Sequence, residues 1–233
     1  MLFCTIANAI SASLYTKLPF DFMRDMEPVA GLMRMSNVME VHPSVPANTV
    51  AEFIAYAKTN PGKVSYASAG NGTSIHLSAE LFKVMTGVNL IHVPYRGSAP
   101  ALTDMIAGQV HVMFDNLTSS IQHIKSGKLR ALAVTSATRD SILPDVPTVG
   151  ETVPGFEATA WWGVCVPKGT PPAAIEKLNK AINAALADSK LMGRFAELGA
   201  RPISGTPADY KALMTSEIGK WAKVVEFAGA KVD

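Results

Sequence analysis

The strongest constraint on this 233-residue chain is a regular alternation between Val64 and Thr135. Strand-like runs at 64–68, 90–94, 110–114 and 129–135 are separated by helix-like runs at 74–86, 99–107 and 117–125. Strands alternating with helices of this length read as βαβ units, and so as an α/β fold built on a mostly parallel sheet. Such a sheet binds small ligands along the edge where its strands end. The residues that follow each strand are therefore the first place to look for a site.

The remainder of the chain is read more coarsely. Residues 2–6 form a short apolar strand that runs into a polar loop, and 14–28 make an irregular connection with aromatic anchors. A strand follows at 29–42. The helix at 49–58 has a Thr49/Glu52 capping box and one apolar face of Val50, Phe53, Ile54 and Ala57. In the helix at 74–86 the expected inward face is Leu77, Leu81 and Val84. The Pro-rich stretch 144–154 is the candidate crossing between domains. Beyond it lie a strand at 160–166, helices at 172–187 and 190–198, a strand at 200–204, and a final helix opened by Thr206-Pro207.

The first of the three strand-end loops reads S-A-G-N-G-T-S. Gly70 and Gly72 allow positive φ or close approach of the backbone to a ligand. Asn71, Thr73 or Ser74 can cap the next helix, whose first N–H groups then form an anion site. His76 lies on that helix's first turn. In the second loop, Tyr95-Arg96-Gly97-Ser98, the Arg96 guanidinium can pair bidentately with a carboxylate. Tyr95 can donate to the same ligand or pack under the loop. The third strand ends in Asp115-Asn116, and Asp115 can accept from a ligand or cap a helix. Ser136 is a weaker fourth position.

Other chemistry is not signalled. A net charge of +2 without Lys/Arg runs gives no nucleic-acid or membrane-surface footprint. No apolar stretch is long enough to span a bilayer. The loop 68–74 lacks the third Gly of a dinucleotide fingerprint and the G-K-[ST] of a phosphate loop. No pair of His has metal-binding spacing, and neither a nucleophile elbow nor an Asp placed to orient His76 is present. The expectation is no cofactor, no metal and no catalytic residue. Cys4 and Cys165 sit in apolar runs and read as buried thiols, with a disulfide left open because sequence gives no distance.

Four stretches together resemble one family: Y-A-S-A-G-N-G-T-S-I-H-L-S-A-E-L-F, H-V-P-Y-R-G-S-A-P-A-L-T-D, G-Q-V-H-V-M-F-D-N and K-L-R-A-L-A-V-T-S. L-P-D-V-P-T-V, P-G-F-E-A, W-W-G and K-W-A-K-V-V add to the likeness, which extends over the whole chain. The chain resembles the Bug-type extracytoplasmic solute receptors of tripartite tricarboxylate transporters. The resemblance implies a two-lobed periplasmic-binding-protein fold (Venus flytrap, type II), with 1–41 and 155–233 as lobe 1 and 42–154 as lobe 2. It implies capture of a small organic acid without chemistry, delivery to a membrane permease, and a periplasmic location.

The residues it places at the ligand are Ser68, Gly70, Asn71, Gly72, Thr73, His76, Tyr95, Arg96, Gly97 and Asp115. Thr5, Ala7 and Asn8 match a cleft-facing loop of the first lobe, and Trp161 matches a hinge-side position. Family members often carry Lys where this chain has Arg96, and either can pair with an anion. The chain departs from the family at its start, where an opening strand, a Gly-rich loop, a helix and a second strand have no counterpart. On that reading the first lobe is incomplete, self-association or weak stability is expected, and ligand affinity is reduced. Two other readings stay open at this stage: an enzyme on a related two-lobed fold, and a non-binding remnant that oligomerises.

Overall fold

In a computed structural model, which describes residues 1–15 and 17–229, the chain divides into two units. Met1–Met35 and Ala160–Asp233 form the first, and Ser36–Thr159 the second. One long strand, β2 (Met26–Val41), contributes residues 26–35 to the first unit and residues 36–41 to the second. The crossings thus fall at 35/36 and 159/160, rather than at 41/42 and 154/155 as the sequence suggested. Both lie within extended strands, where no change of composition marks them. The Pro-rich stretch stays in the second unit, where Thr148 bridges to Val134 and caps a 3-10 turn, Val149–Glu151.

The first unit carries β1 (Leu2–Thr5), α1 (Ile6–Leu14), α2 (Phe22–Asp25), β7 (Thr159–Pro167), α7 (Pro172–Leu186), α8 (Ser189–Glu197), β8 (Ala200–Pro202) and α9 (Pro207–Ala228). Strand β7 lies between β1 and β2, and β8 pairs antiparallel with β2. Its core sets Val29, Ala30, Val164 and Val166 against the Ile175, Leu178 and Ile182 stripe of α7. Helix α9 brings Trp221 and Tyr210 inside. Glu217, also on α9, accepts from the indole N–H groups of Trp161 at 3.2 Å and Trp221 at 2.9 Å. Cys4 and Cys165 are both buried, on adjacent strands, and are joined as a disulfide. Burial was anticipated from their apolar runs; the bond depends on strand pairing between residues 161 positions apart.

The polar loop expected after residue 6 is instead the start of α1. Thr5 is its N-cap and accepts from the Ala7 N–H, while the Asn8 side chain accepts from the Thr5 N–H. The expected irregular connection 14–28 also contains the short helix α2.

The second unit holds α3 (Val50–Thr59), β3 (Ser65–Ser68), α4 (Ser74–Thr86), β4 (Ile91–Pro94), α5 (Ser98–Ile106), β5 (Val112–Asn116), α6 (Leu117–Lys125) and β6 (Arg130–Val134). Its sheet runs β4-β3-β5-β2-β6. Strands β3, β4 and β5 are parallel, but β2 enters antiparallel between β5 and β6. The sheet is therefore mixed. The last residues of β2, 35–41, are all buried, which is the pattern of an interior strand covered on both faces.

One face of this sheet is an aromatic cluster of Phe53, Phe82, Phe114 and Phe156. The other packs Ala67, Met113 and Leu129 on Ala101, Leu102 and Met105 of α5. In α4 Leu77 is fully buried, as expected, together with Ile75, Ser78, Ala79 and Phe82, whereas Leu81 is half-buried and Val84 is 39% exposed. No helix among the described residues is long and apolar enough to cross a membrane.

Candidate ligand-binding site

Because β3, β4 and β5 are parallel, their carboxyl ends share one edge of the second unit. The chain turns there in two short loops, 69–73 and 95–97, and passes directly from β5 into α6 at Asn116. After β3, Gly70 and Gly72 adopt φ of +123° and +76°. This conformation is open to glycine and strained for other residues. Thr73 is the residue that caps α4: its hydroxyl accepts from the His76 N–H at 3.2 Å and donates to the Gly70 carbonyl at 2.8 Å. The other N–H groups of the first turn have no intrahelical partner and point out of the helix end. Asn71 is exposed at the loop tip.

Pairing between β3 and β4 continues past the strands. The Tyr95 N–H donates to the Ser68 carbonyl at 2.9 Å, and the Gly97 N–H to the Ala69 carbonyl at 3.2 Å. This laces the two loops side by side. The Tyr95 hydroxyl is engaged elsewhere, donating to Asp104 of α5 at 2.7 Å. Arg96 is exposed and makes no ion pair or side-chain hydrogen bond among the described residues. It is a free guanidinium beside a helix start. Gly97, at φ +113°, is the N-cap residue of α5.

Behind the first loop stands a column of rings. Tyr66 stacks on His92 at 4.7 Å, and His92 on His76 at 4.3 Å. The Ser68 hydroxyl lies 2.7 Å from His92 Nε2 and also accepts from the Gly70 N–H. The Gly72 N–H donates to His76 Nδ1 at 3.2 Å, so that nitrogen carries no proton. Burial pushes both imidazoles towards their neutral forms, His92 down to about 3. The Tyr66 hydroxyl donates to Glu80, which pairs with Lys83 at 2.8 Å. His76 is only 5% exposed; in this arrangement it braces the loop from behind.

Asp115, at the end of β5, is fully buried and accepts from Ser98 at 2.6 Å and Ser120 at 3.0 Å. Burial raises its pKa, and the two hydroxyls oppose that shift. A cavity of about 360 Å³ between α5 and α6 is lined by Ser98, Leu102, Ile106, Ser119 and His123. Ser136 donates to the Thr138 carbonyl and accepts from Ser36, an internal role.

The remaining sequence candidates lie in the other unit. Thr5, Ala7 and Asn8 form the start of α1, and Trp161 is a core residue with its N–H on Glu217. Sequence reasoning passed over His92, Ser120 and Glu40. The signal for Glu40 was present, as an acidic residue inside the apolar run N-V-M-E-V. Among the described residues no three His, Cys, Asp or Glu come together as a metal site.

A family model for the tripartite tricarboxylate transporter family receptor matches residues 2–230. The chain belongs to this family. Its members are transporter receptors rather than enzymes. Among curated relatives, a protein of the tcbD-tcbE intergenic region of Pseudomonas sp. strain P51 is 41% identical over 213 residues, covering 91% of this chain and 63% of its own length. Protein BugT of Bordetella pertussis is 37% identical, covering 96% of this chain and 69% of its own length. The chain therefore spans about two thirds of the length of these relatives.

Solved structures of receptors agree on the α/β fold. Rpa4515 of R. palustris, with adipate, superposes with a TM-score of 0.89 at 38% identity, over 97% of this chain and 77% of the other. The periplasmic binding protein BugD gives 0.85 at 34%, over 98% and 78%. MatC of Rhodopseudomonas palustris, with bound malate, gives 0.84 at 32%, over 96% and 78%.

Proposed function

We propose that this chain is a periplasmic receptor that captures a small dicarboxylate and delivers it to the membrane permease of a tripartite transporter. The observation that carries the reading is the edge of the second unit. There the amide-bearing start of α4 and the free Arg96 guanidinium stand on laced loops. The helix start supplies backbone donors for one carboxylate, and Arg96 supplies a bidentate partner for another. Two receptors of the same fold hold adipate and malate, both dicarboxylates. Ser68, Gly70, Asn71, Gly72 and Thr73 shape the first subsite, with His76 and His92 bracing it. Tyr95 and Gly97 hold Arg96 in place beside it. Asp115 sets the charge beneath the edge.

Calorimetry with adipate, malate and their monoacid analogues tests this. Arg96→Ala should weaken a diacid by about tenfold, or about 1.4 kcal/mol, and its monoacid analogue much less. Equal losses for both would remove Arg96 from the site. Gly70→Ala should weaken both ligands, because a Cβ there strains the backbone and lies 3.3 Å from the Tyr95 carbonyl oxygen.

A further inference from the structure

Glu40 and Asp115 occupy one face of the second unit's sheet, on neighbouring antiparallel strands. Glu40 lies opposite Met113, and Asp115 opposite Val38. Both carboxyl groups are fully buried. Ser120 of α6 stands between them, its Oγ 2.6 Å from Glu40 Oε1 and 3.0 Å from Asp115 Oδ2. A serine hydroxyl has a single hydrogen and can donate to one of these oxygens only. The other contact is a hydrogen bond only if that carboxyl group supplies its own proton.

The surroundings decide which one does. Asp115 has a second donor, Ser98, on Oδ1 at 2.6 Å. Glu40 Oε2 is buried with no partner among the described residues, and an ionised carboxylate there would lack solvation. The proton therefore rests on Glu40 and the charge on Asp115. We propose that Glu40 and Asp115 share one proton through the Ser120 hydroxyl, making Glu40 a positioning residue for the charge that Asp115 holds under the binding edge.

The exchange balances. Glu40 gives its proton to Ser120 Oγ as Ser120 gives its own to Asp115 Oδ2. Ser120 is unchanged, and the pair keeps one negative charge throughout. That charge moves from Asp115 to Glu40, one strand away. An anion arriving at the edge thus displaces negative charge from the end of β5, a consequence that rests on the receptor function proposed above.

The other groups around the pair fit this exchange. From α6, His123 favours the charged form of Asp115. From α5 comes Ser98, which also lines the cavity between α5 and α6. From β6, Ala131 faces Glu40, whereas Arg130 lies opposite Val41 and is bound to the Val45 and Ala47 carbonyls. Burial and the neighbouring Asp115 both hold Glu40 well above the usual carboxylate range.

A carbon-13 NMR titration of carboxyl-labelled protein, with Glu40→Gln for assignment, reads the proton directly. Glu40 should keep the shift of a neutral acid through pH 7, and Asp115 should titrate at higher pH in Ser120→Ala, where a donor to its carboxylate is lost. A Glu40 signal already ionised at pH 7 overturns the proposal. Calorimetry with malate and adipate between pH 5.5 and 8.5 reads the coupling. Glu40→Gln should bind about tenfold more weakly at pH 7 and show a flatter pH profile than the wild type. An unchanged affinity and profile would refute the coupling. If the wild type binds no dicarboxylate, the receptor reading fails together with the coupling, while the NMR result still decides where the proton lies.

Discussion

His76 and His92 stand face to face in surroundings that favour neutral rings. Their folded pKa values lie below the ordinary imidazole value of about 6.5, so the unfolded chain binds more protons than the folded one. Stability is therefore complete above about pH 6.5 and is lost as pH falls towards the His92 value of about 3. Each ring contributes a slope of at most about 1.4 kcal/mol per pH unit. His92→Phe keeps a ring in the stack and should reduce the acid loss, measured by urea unfolding at pH 7 and pH 4. An acid slope equal to that of the wild type would discard the imidazole explanation. Close packing gives a second prediction. At Gly163 of β7 a Cβ would overlap the Tyr210 ring and lie 2.7 Å from the Ala30 carbonyl oxygen. Gly163→Ala should cost about 1–3 kcal/mol and lower the melting temperature. Residues whose role is local were legible in the sequence: Gly70, Gly72 and a cap from Asn71, Thr73 or Ser74 follow from chain geometry within one loop, and the structure selects Thr73. The partners of Asp115 were not, because Ser98, Ser120 and Glu40 reach it from three different elements.

Helix α9 shows how much a terminus signal carries. Thr206 accepts from the Asp209 N–H at 3.1 Å, and Asp209 accepts from the Thr206 N–H at 2.8 Å. Thr206→Ala should cost about 1 kcal/mol, read as a lower urea midpoint with unchanged slope. This cap was evident from T-P-A-D alone. Helix α1 was not, since its nine residues I-A-N-A-I-S-A-S-L carry no charge and follow directly on an apolar strand. Its capping box uses Asn8 where Glu or Gln is the usual signal. Strand β2 was visible as a strand, but its antiparallel insertion between β5 and β6 was not. Period-2 and apolar patterns report burial, and they do not say which neighbour supplies it.

At the scale of the whole molecule, the disulfide closes the first unit across the span that holds the second. Thiol titration should find no reactive cysteine in the native protein and two after reduction. Reduction should lower stability by about 2–4 kcal/mol. Two free thiols in the oxidised protein would show that the bond does not form. The division of the chain also sets an order of assembly. A ribosome releases Met1–Met35 early, yet the strand and helices that complete that unit come only after Ser36–Thr159 has been made. The second unit, contiguous in sequence, is free to fold as soon as Thr159 emerges. Strand β1 and helix α1 must wait through that whole interval for β7 and α9. Residues made before the second unit thus belong to the last structure formed, and the bond of Cys4 must wait until Cys165 has been made.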